Sequence, residues 1–421
     1  MLQSDVNTFE SIDGTLYGYS PFREVQVLLD GKLVGVQWPF PVIFTGGVVP
    51  ELWNPIVGIQ AFDLLEHEID ITPWLPLLCD GKEHTFQIKV VGIIDDGKTG
   101  GVLSDFVGNS WYVSGKVCNV LLLFSEELNS GWLTIYQIFV WLDENAKHIT
   151  TGTTPLAIDP SPAITTSQKI TQDSSGNNLT LTFTADVKRS LSISSWVTSQ
   201  KSSIVQTWSQ TLSATNYGSL TNYSYFEINQ QSTKGFDIST GAVGYSTTYS
   251  YPLFANTTEL VYPNGDFTLE AYISRSMDTS VLGNSVYPTG LQAFSAISSE
   301  SSLVDGLQGS YLSTTENGSA TYIYANSKVV GFGSTSQVMT FGGADLAGVL
   351  DTEFYYRNVE GVNRTVVKDE QVLLGKTVSN FGVPVESVGK AVPKQNILSP
   401  KAAFGRGPGS VQAVLVQGGS G

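Results

Sequence analysis

Residues 22–75 decide the fold of the first part of this chain, and they read FREVQVLLDGKLVGVQWPFPVIFTGGVVPELWNPIVGIQAFDLLEHEIDITPWL. The segment Val25–Leu29 is short and apolar, which predicts a β-strand. Asp30-Gly31 follows it as a turn pair, and residues 32–38 return from that turn. Two apolar runs joined by Asp-Gly are typical of a hairpin, so the sequence predicts a β-hairpin here.

Two tryptophans lie in proline-rich loops after this hairpin. Trp38 begins the run WPFP, and Trp53 lies between Pro50 and Pro55. Prolines cannot donate to a strand ladder, so both runs are predicted to be edges or rigid loops. A stiff loop that carries an indole suits stacking on a sugar or docking of a peptide. Burial of both indoles in the core is an equally good interpretation, and the sequence leaves the two open.

A row of acidic residues follows the second loop. The segment 63–72 alternates, which predicts a strand with Glu66, Glu68 and Asp70 on one face. Three carboxylates in a row repel each other, so they are either solvated or arranged to raise the pKa of one of them for acid–base chemistry. A solvated edge is the more common case.

Composition and charge restrict the function classes. Hydrophobic residues make up 41% of the 421 residues and charged residues only 14%, as in an ordinary globular protein. The net charge of −16 argues against nucleic-acid binding. The first 150 residues hold 19 acidic and 7 basic residues, so any carboxylate chemistry is expected there.

Cysteine and histidine are scarce. The two cysteines, Cys79 and Cys118, could pair, but their spacing does not show it. The sequence contains no zinc-binding pattern, and its three histidines are His67, His84 and His148. No apolar run is long enough to span a membrane, and the first thirty residues lack the basic start and apolar core of a signal peptide.

The second half of the chain predicts antiparallel strands. Residues 147–176 are rich in Thr, Pro and Ser and are interpreted as a linker. Many short alternating segments follow, with a hairpin turn at 263–266, and the alternate Ser and Thr residues are expected to form the wet face. The predicted fold is all-β, with two β-sandwich or jelly-roll-like domains of antiparallel sheets. Their expected bounds are 1–146 and 177–390, with a flexible tail over 391–421.

Three pieces of the first domain resemble one known family. They are REVQVLLDGKLVG from residue 23, VQWPFPVIFTGGVVPELWNPIVGIQAFDL from residue 36, and HEIDITPWLPLLCDGKEHTF from residue 67. In order and spacing they resemble the peptide-N-(N-acetyl-glucosaminyl)asparagine amidase A (PNGase A) family in its fungal form. The later chain, to about residue 390, is similar to the C-terminal β domain of that family more diffusely.

The resemblance also suggests two features of the gene product. The family has a longer N-terminal portion, so this chain is expected to be N-terminally truncated, and a secretion signal and secretory location are expected for the full-length protein. Residues 117–137 interrupt a family-like strand. They are interpreted as a translated intron, with a genuine amphipathic hairpin or lid as the alternative.

The family relationship implies an amidase. Such enzymes hydrolyse the amide between asparagine and the first GlcNAc of an N-glycan, giving an Asp-containing peptide and a free glycosylamine. The expected substrates are N-glycosylated peptides or glycoproteins. A base must activate water, a donor must stabilise the oxyanion and an acid must protonate the leaving nitrogen, so carboxylates suffice and no metal or cofactor is expected.

Candidate site residues come from local chemistry, because the resemblance carries over no catalytic residue. The catalytic candidates are Glu68, Asp70, Glu24 and Asp63. The candidate sugar platforms are Trp38 and Trp53. For each acid, a solvated or turn-capping carboxylate is the alternative.

Two rival functions remain open. One is a thiol hydrolase that pairs Cys79 with His84 or His67, although no helix N-terminus is evident to lower the pKa of the thiol. The other is a non-catalytic glycan- or peptide-binding β-sandwich protein.

Five N-x-S/T triplets are candidate glycosylation sites. They begin at Asn178, Asn222, Asn256, Asn317 and Asn363. Chance alone predicts about four such triplets in a region this rich in Ser and Thr, so the pattern carries little weight.

Overall fold

The computed structural model describes most of the chain. The described residues are 3–9, 18–41, 43, 47–59, 67–97, 100–107, 147–159, 161–200, 202–222, 225–242, 244–283 and 307–382. Several predictions lie outside these ranges: those for Asp63, Cys118, the segment 117–137 and the tail 391–421.

A small antiparallel sheet contains the predicted hairpin. Its strands are β1 (Glu24–Leu29), β2 (Lys32–Gln37), β3 (Phe86–Asp95) and β4 (Gly101–Ser104), in the order β2-β1-β3-β4. Asp30 and Gly31 connect β1 to β2 with φ angles of 49° and 75°. Positive φ at both central positions is the geometry for which Asp-Gly pairs are favoured. The hairpin prediction is confirmed.

A large antiparallel sheet contains the other thirteen described strands. Its strands are β5 (Thr151–Gly152), β6 (Leu156–Ile158), β7 (Ala163–Gln172), β8 (Asn178–Thr198), β9 (Ser203–Thr221), β10 (Phe226–Thr240), β11 (Tyr245–Val261), β12 (Phe267–Gly283), β13 (Gly309–Ala325), β14 (Lys328–Ala344), β15 (Leu350–Val362), β16 (Thr365–Leu373) and β17 (Lys376–Gly382). From β8 to β17 each strand pairs with the next in the sequence, and β5, β6 and β7 all pair with β8. The predicted all-β fold with antiparallel sheets is confirmed.

Two predictions about local structure need correction. The predicted linker 147–176 contributes β5, β6 and β7 to the large sheet, so much of it is sheet. The predicted strand 63–72 is not a strand in its described part. Residues 67–71 are irregular, and Thr72–Trp74 is a 3-10 turn with Pro73 near its start. The Asp70 carboxylate accepts the Thr72 backbone N–H at 2.8 Å, which favours a turn over an extended strand.

The helical content is small. The described helices are α1 (Gln3–Val6) and α2 (Leu75–Leu78), with 3-10 turns at Asn7–Phe9, Pro50–Trp53 and Thr72–Trp74. Among the residues that the structure describes, we find no helix with the length and apolar character needed to cross a membrane.

The two parts of the chain share a hydrophobic core. We call the face of the large sheet that packs against the described residues of the segments 20–59 and 67–78 the inner face, and the opposite face the outer face. Trp38, Phe40 and Ile59 pack in one cluster with Leu212 and Tyr249 of the inner face. This cluster contains members from both parts, so the two parts pack against each other, and the domain bounds predicted from the sequence stay a prediction.

Polar side chains of the inner face bind the irregular backbone that packs against them. The side-chain amide of Gln210 accepts the N–H of Val36 and donates to its carbonyl, both at 2.9 Å. Gln337 donates to the carbonyl of Val57 at 2.7 Å. Ser195 and Arg275 donate in the same way to the carbonyls of Pro73 and Pro41. A buried backbone outside regular structure needs such partners, which explains why the sheet carries so many polar residues on a buried face.

Candidate functional site

Glu24 is a buried structural carboxylate. It accepts hydrogen bonds from the indole N–H of Trp38 at 2.9 Å, the amide of Gln26 at 2.7 Å and the guanidinium of Arg189 at 2.8 Å. Arg189 also pairs with Asp159 at 2.6 Å. Since Glu24 has no exposed surface and its oxygens are occupied, the structure does not support it as an acid–base group.

Trp38 and Trp53 lie in the interior. Their exposed fractions are 1% and 2%, and the indole N–H of Trp53 donates to the carbonyl of Gly47 at 2.6 Å. A sugar can stack only on an exposed ring face. The prediction that these indoles are sugar platforms is therefore corrected, and both are core residues.

Asp70 and Glu68 occupy the irregular segment after residue 66. Asp70 accepts from the backbone N–H and hydroxyl of Thr72, from the hydroxyl of Ser239, and from the amide of Gln206 at 3.5 Å. These contacts fasten the segment to the inner face, as expected for a turn-capping carboxylate. Glu68 is half-buried, and its backbone carbonyl accepts from Gln37 at 3.1 Å.

A group of polar side chains meets where this segment crosses strands β9, β10 and β11. We call this group the central polar cluster, and its members are Gln37, His67, Gln210, Asp237, Tyr249 and Tyr251.

Asp237 is the titratable centre of the central polar cluster. It is 2% exposed and accepts from the amide of Gln210 at 3.0 Å and from Gln37. Burial disfavours the carboxylate and raises the pKa of Asp237 to about 7, although the two amide hydrogen bonds oppose this rise. A carboxyl that titrates near neutral pH is suited to proton exchange.

His67 faces the same cluster from the irregular segment. Its ring lies 5.3 Å from the Tyr249 ring, and its Nε2 lies 3.4 Å from the hydroxyl of Tyr251. His67 is exposed to water, and the Tyr249 and Tyr251 rings lie against its imidazole. The resulting desolvation lowers the pKa of His67 to about 4, so the imidazole is neutral at neutral pH. His67 therefore marks the accessible side of the cluster.

Two buried polar atoms of the cluster receive no hydrogen bond within the described part of the chain. They are the hydroxyl of Tyr249 and the Oε1 of Gln37. Burial also raises the pKa of the Tyr249 hydroxyl well above its usual value, so this group stays protonated and can donate. Unpaired buried groups are rare in folded proteins, and here they lie beside the titrating carboxyl, where a bound molecule or water could pair with them.

Strand β10 buries polar residues and exposes aromatic ones, and this arrangement places Asp237 in the cluster. Its buried positions include Glu227, Asn229 and Asp237, whereas Phe226 and Phe236 are 43% and 42% exposed. A structural strand normally buries its apolar residues. Acidic and amide residues that alternate with aromatic ones along β10 are the sequence signal for Asp237. The sequence analysis missed it because it expected carboxylate chemistry in the first 150 residues.

Gly235 makes room for the aromatic part of the cluster. A Cβ at this position would lie 2.0 Å from a ring atom of Tyr249. The absence of a side chain at 235 therefore lets Tyr249 lie between the sheet and His67.

The thiol mechanism finds no support in the structure. Burial raises the pKa of Cys79, which disfavours the thiolate. His84 hydrogen-bonds Asp30 at 2.7 Å and Asp80 at 3.2 Å. Across the described residues, no group of three or more His, Cys, Asp or Glu is arranged to hold a metal ion.

The five candidate glycosylation residues occupy different environments. Asn222 and Asn363 lie in tight turns with φ angles of 53° and 45°. Asn178 is the first residue of β8, whereas Asn256 and Asn317 lie within β11 and β13.

Two family models match separate parts of this chain. Residues 1–123 match the family model described as Peptide N-acetyl-beta-D-glucosaminyl asparaginase amidase A. Residues 182–253 match a second model, described as the PNGase_A C-terminal domain. The central polar cluster takes Gln37 and His67 from the first amidase A match and its other members from the second.

A curated relative agrees with these matches. The Peptide-N4-(N-acetyl-beta-glucosaminyl)asparagine amidase A of Prunus dulcis is 45% identical over 100 residues, which are 24% of this chain and 15% of that protein. The chain thus spans a small part of the curated relative that it matches. No solved structure matches the chain.

Proposed function

We propose that this protein is an amidase that hydrolyses the bond between asparagine and the first GlcNAc of N-glycosylated peptides or glycoproteins. One observation carries the proposal: the two segments that match the amidase A models meet at the central polar cluster. That cluster contains a carboxyl whose pKa is raised to about 7 and an accessible neutral imidazole.

The cluster supplies the groups that amide hydrolysis needs. In this proposal the neutral His67 accepts a proton from the attacking water, and the protonated carboxyl of Asp237 supplies the proton to the leaving nitrogen. The hydroxyl of Tyr249 is a donor for the oxyanion. Glu68, beside His67 on the same segment, stays a candidate from the sequence.

The test is release of glycan from a defined glycopeptide. We expect mass spectrometry to show an Asp-containing peptide, which is one mass unit heavier than the corresponding Asn peptide, together with the free glycan. The expected rate falls as pH rises through about 7, because Asp237 loses its proton there.

A matched pair of variants assigns the cleavage to the cluster. Asp237→Asn is expected to reduce the rate at least 100-fold, since a positioned acid or base typically contributes about 10²–10⁴-fold. Asp351→Asn, an exposed position on β15, is the control and should keep the wild-type rate. Glycan binding without any release by the folded chain would contradict the amidase proposal.

A further inference from the structure

A second concave region lies on the outer face of the large sheet, away from the central polar cluster. It is a groove of about 520 Å³ across strands β11 to β15. This volume is within the range of small-ligand sites, which is roughly 300–1,000 Å³. We call it the outer groove.

The register of the strands places its side chains in two rows. One row runs Asn256, Tyr272, Ser319, Ser334 and Val362, each opposite the next. The other row runs Thr258, Glu270, Thr321 and Phe332 in the same way. All of these residues line the outer groove.

Two aromatic residues stand on either side of a small-residue floor. Tyr272 on β12 and Phe332 on β14 are 40% and 39% exposed. Strand β13 lies between them and presents Ser319 and Thr321. Adjacent strands are about 4.8 Å apart, and the two aromatic positions are also offset by two residues along the strands, so they are separated by roughly 12 Å, which leaves space for a sugar ring between them.

Tyr272 is held from the side that faces away from the groove. Its hydroxyl donates to Asn317 at 3.4 Å, and the Phe254 ring lies 6.1 Å from its own. Neither partner lines the outer groove. A ring that is fixed before a ligand arrives loses little conformational entropy on binding.

The turn after β15 forms a wall of the groove. The N–H of Asn363 donates to the carbonyl of Gly333 at 2.8 Å, which fastens the turn onto β14. The next residue, Arg364, pairs with Glu51 at 3.3 Å and does not line the groove.

The lining selects the chemical class of the ligand. Hydroxyls, amides and one carboxylate line the groove beside the two aromatics, and no Lys or Arg is present among the described lining residues. Aromatic faces match the apolar faces of sugar rings, and the polar groups match sugar hydroxyls. The carboxylate of Glu270, without a cation beside it in the lining, disfavours an anionic ligand.

We propose that the outer groove binds a neutral oligosaccharide, separately from the central polar cluster. This proposal does not rest on amide cleavage. If both proposals hold, the groove would retain a glycan arm of the substrate while the amide is cut elsewhere.

The test is binding of a glycan that the amidase cannot cleave. The free trimannosyl-chitobiose pentasaccharide contains no asparagine amide, so its binding to the full chain is independent of hydrolysis. Asn256 and Asn363 line the groove and begin N-x-S/T triplets, so the chain is produced in bacteria without attached glycans. Calorimetry and ligand-observed NMR should detect saturable binding.

Variants locate the ligand. Tyr272→Ala and Phe332→Ala should each weaken binding at least 10-fold, while the control Tyr217→Ala, at an equally exposed tyrosine of the sheet outside the groove, should change it less than 2-fold. Asp237→Asn should bind like the wild type. The proposal is overturned if folded wild-type chain does not bind the pentasaccharide, or if an unglycosylated peptide binds equally well. Loss of binding in Asp237→Asn with retention in Tyr272→Ala would also overturn it.

Discussion

At the scale of single residues, the charged groups of the interior divide into paired and unpaired ones. Glu24 and Arg189 neutralise each other, and so do Arg275 and Glu316 at 2.7 Å. Asp237 has amide donors and no cation partner among the described residues, and burial raises its pKa to about 7. Glu24 and Glu316 thus each have a buried guanidinium partner, whereas the hydrogen bonds of Asp237 come from amides.

Removing one member of a buried pair should be costly. We expect Arg189→Met to lower the free energy of unfolding by about 3–5 kcal/mol, because it leaves the Glu24 carboxylate buried and uncompensated. The double variant Glu24→Gln/Arg189→Met should recover most of this loss. Chemical denaturation measures both effects. The control is Lys89→Met, which breaks the exposed pair with Asp105 and should cost about 0–1 kcal/mol. Equal losses in single and double variants would show that the ion pair is not the cause.

The titration of Asp237 should also appear in stability. Its pKa in the folded protein is about 7, above its usual 3.8, so between these values the folded state holds a proton that the unfolded state has released. This contribution is complete below about pH 4 and is lost as pH rises through 7. Asp237→Asn lacks it, so its melting temperature relative to wild type should be higher at pH 8 than at pH 4.5. His67 opposes this trend in both proteins and cancels in the difference. A pH-independent difference would mean that Asp237 titrates normally.

At the scale of elements, strand β2 is an edge strand of the small sheet, and a side chain of β9 supplies hydrogen bonds on its unpaired side. The strand pairs with β1 on one side, and on the other side Gln210 bonds the N–H and carbonyl of Val36. One glutamine thus protects an edge of the small sheet and at the same time donates to Asp237. The fold and the candidate site depend on the same side chain.

Gln210→Leu tests this role. We expect a loss of about 2–6 kcal/mol in unfolding free energy, since two buried backbone groups lose their partners at about 1–3 kcal/mol each. Amide hydrogen exchange at Val36 should accelerate. Gln230→Leu, at an exposed position of β10, is the matched control and should have little effect. An unchanged rate of amide hydrogen exchange at Val36 in Gln210→Leu would contradict this role of Gln210.

At the scale of the whole molecule, the small sheet and the large sheet depend on each other. Clusters of buried residues contain members from both, as when Trp74 and Leu29 pack with Leu191 and Ile193. Side chains of the inner face of the large sheet also bond several backbone carbonyls of the irregular segments between them. The two parts are expected to lose structure together.

Calorimetry tests this expectation. We predict a single thermal transition for the full chain, because unfolding of either part exposes the shared core of the other. Arg189→Met should lower the temperature of this single transition without splitting it in two. Two separate transitions, of which only one shifts in the variant, would show that the domains predicted from the sequence are independent.

The sequence alone determined the fold class, two of the turns and the resemblance of the chain to a known family. The Asp30-Gly31 hairpin, the turn at 263–266 and the antiparallel all-β class depend on local chemistry, because turn residues and period-two alternation act over a few positions. The same local signals failed for residues 67–71, where the side chain of Asp70 favours a turn over an extended strand.

Only the tertiary structure decided which side chains are exposed to water. Alternation shows which residues share a face of a strand, but not which face is buried. The expectation that Ser and Thr form the wet face fails at Ser239, Ser310 and Thr314, which are buried. In β10 the polar face turns inward because irregular segments from far earlier in the chain supply its partners. For the same reason Trp38 and Trp53 are core residues. Asp237 lies at the centre of the candidate site although it is more than 160 positions from His67 in the sequence.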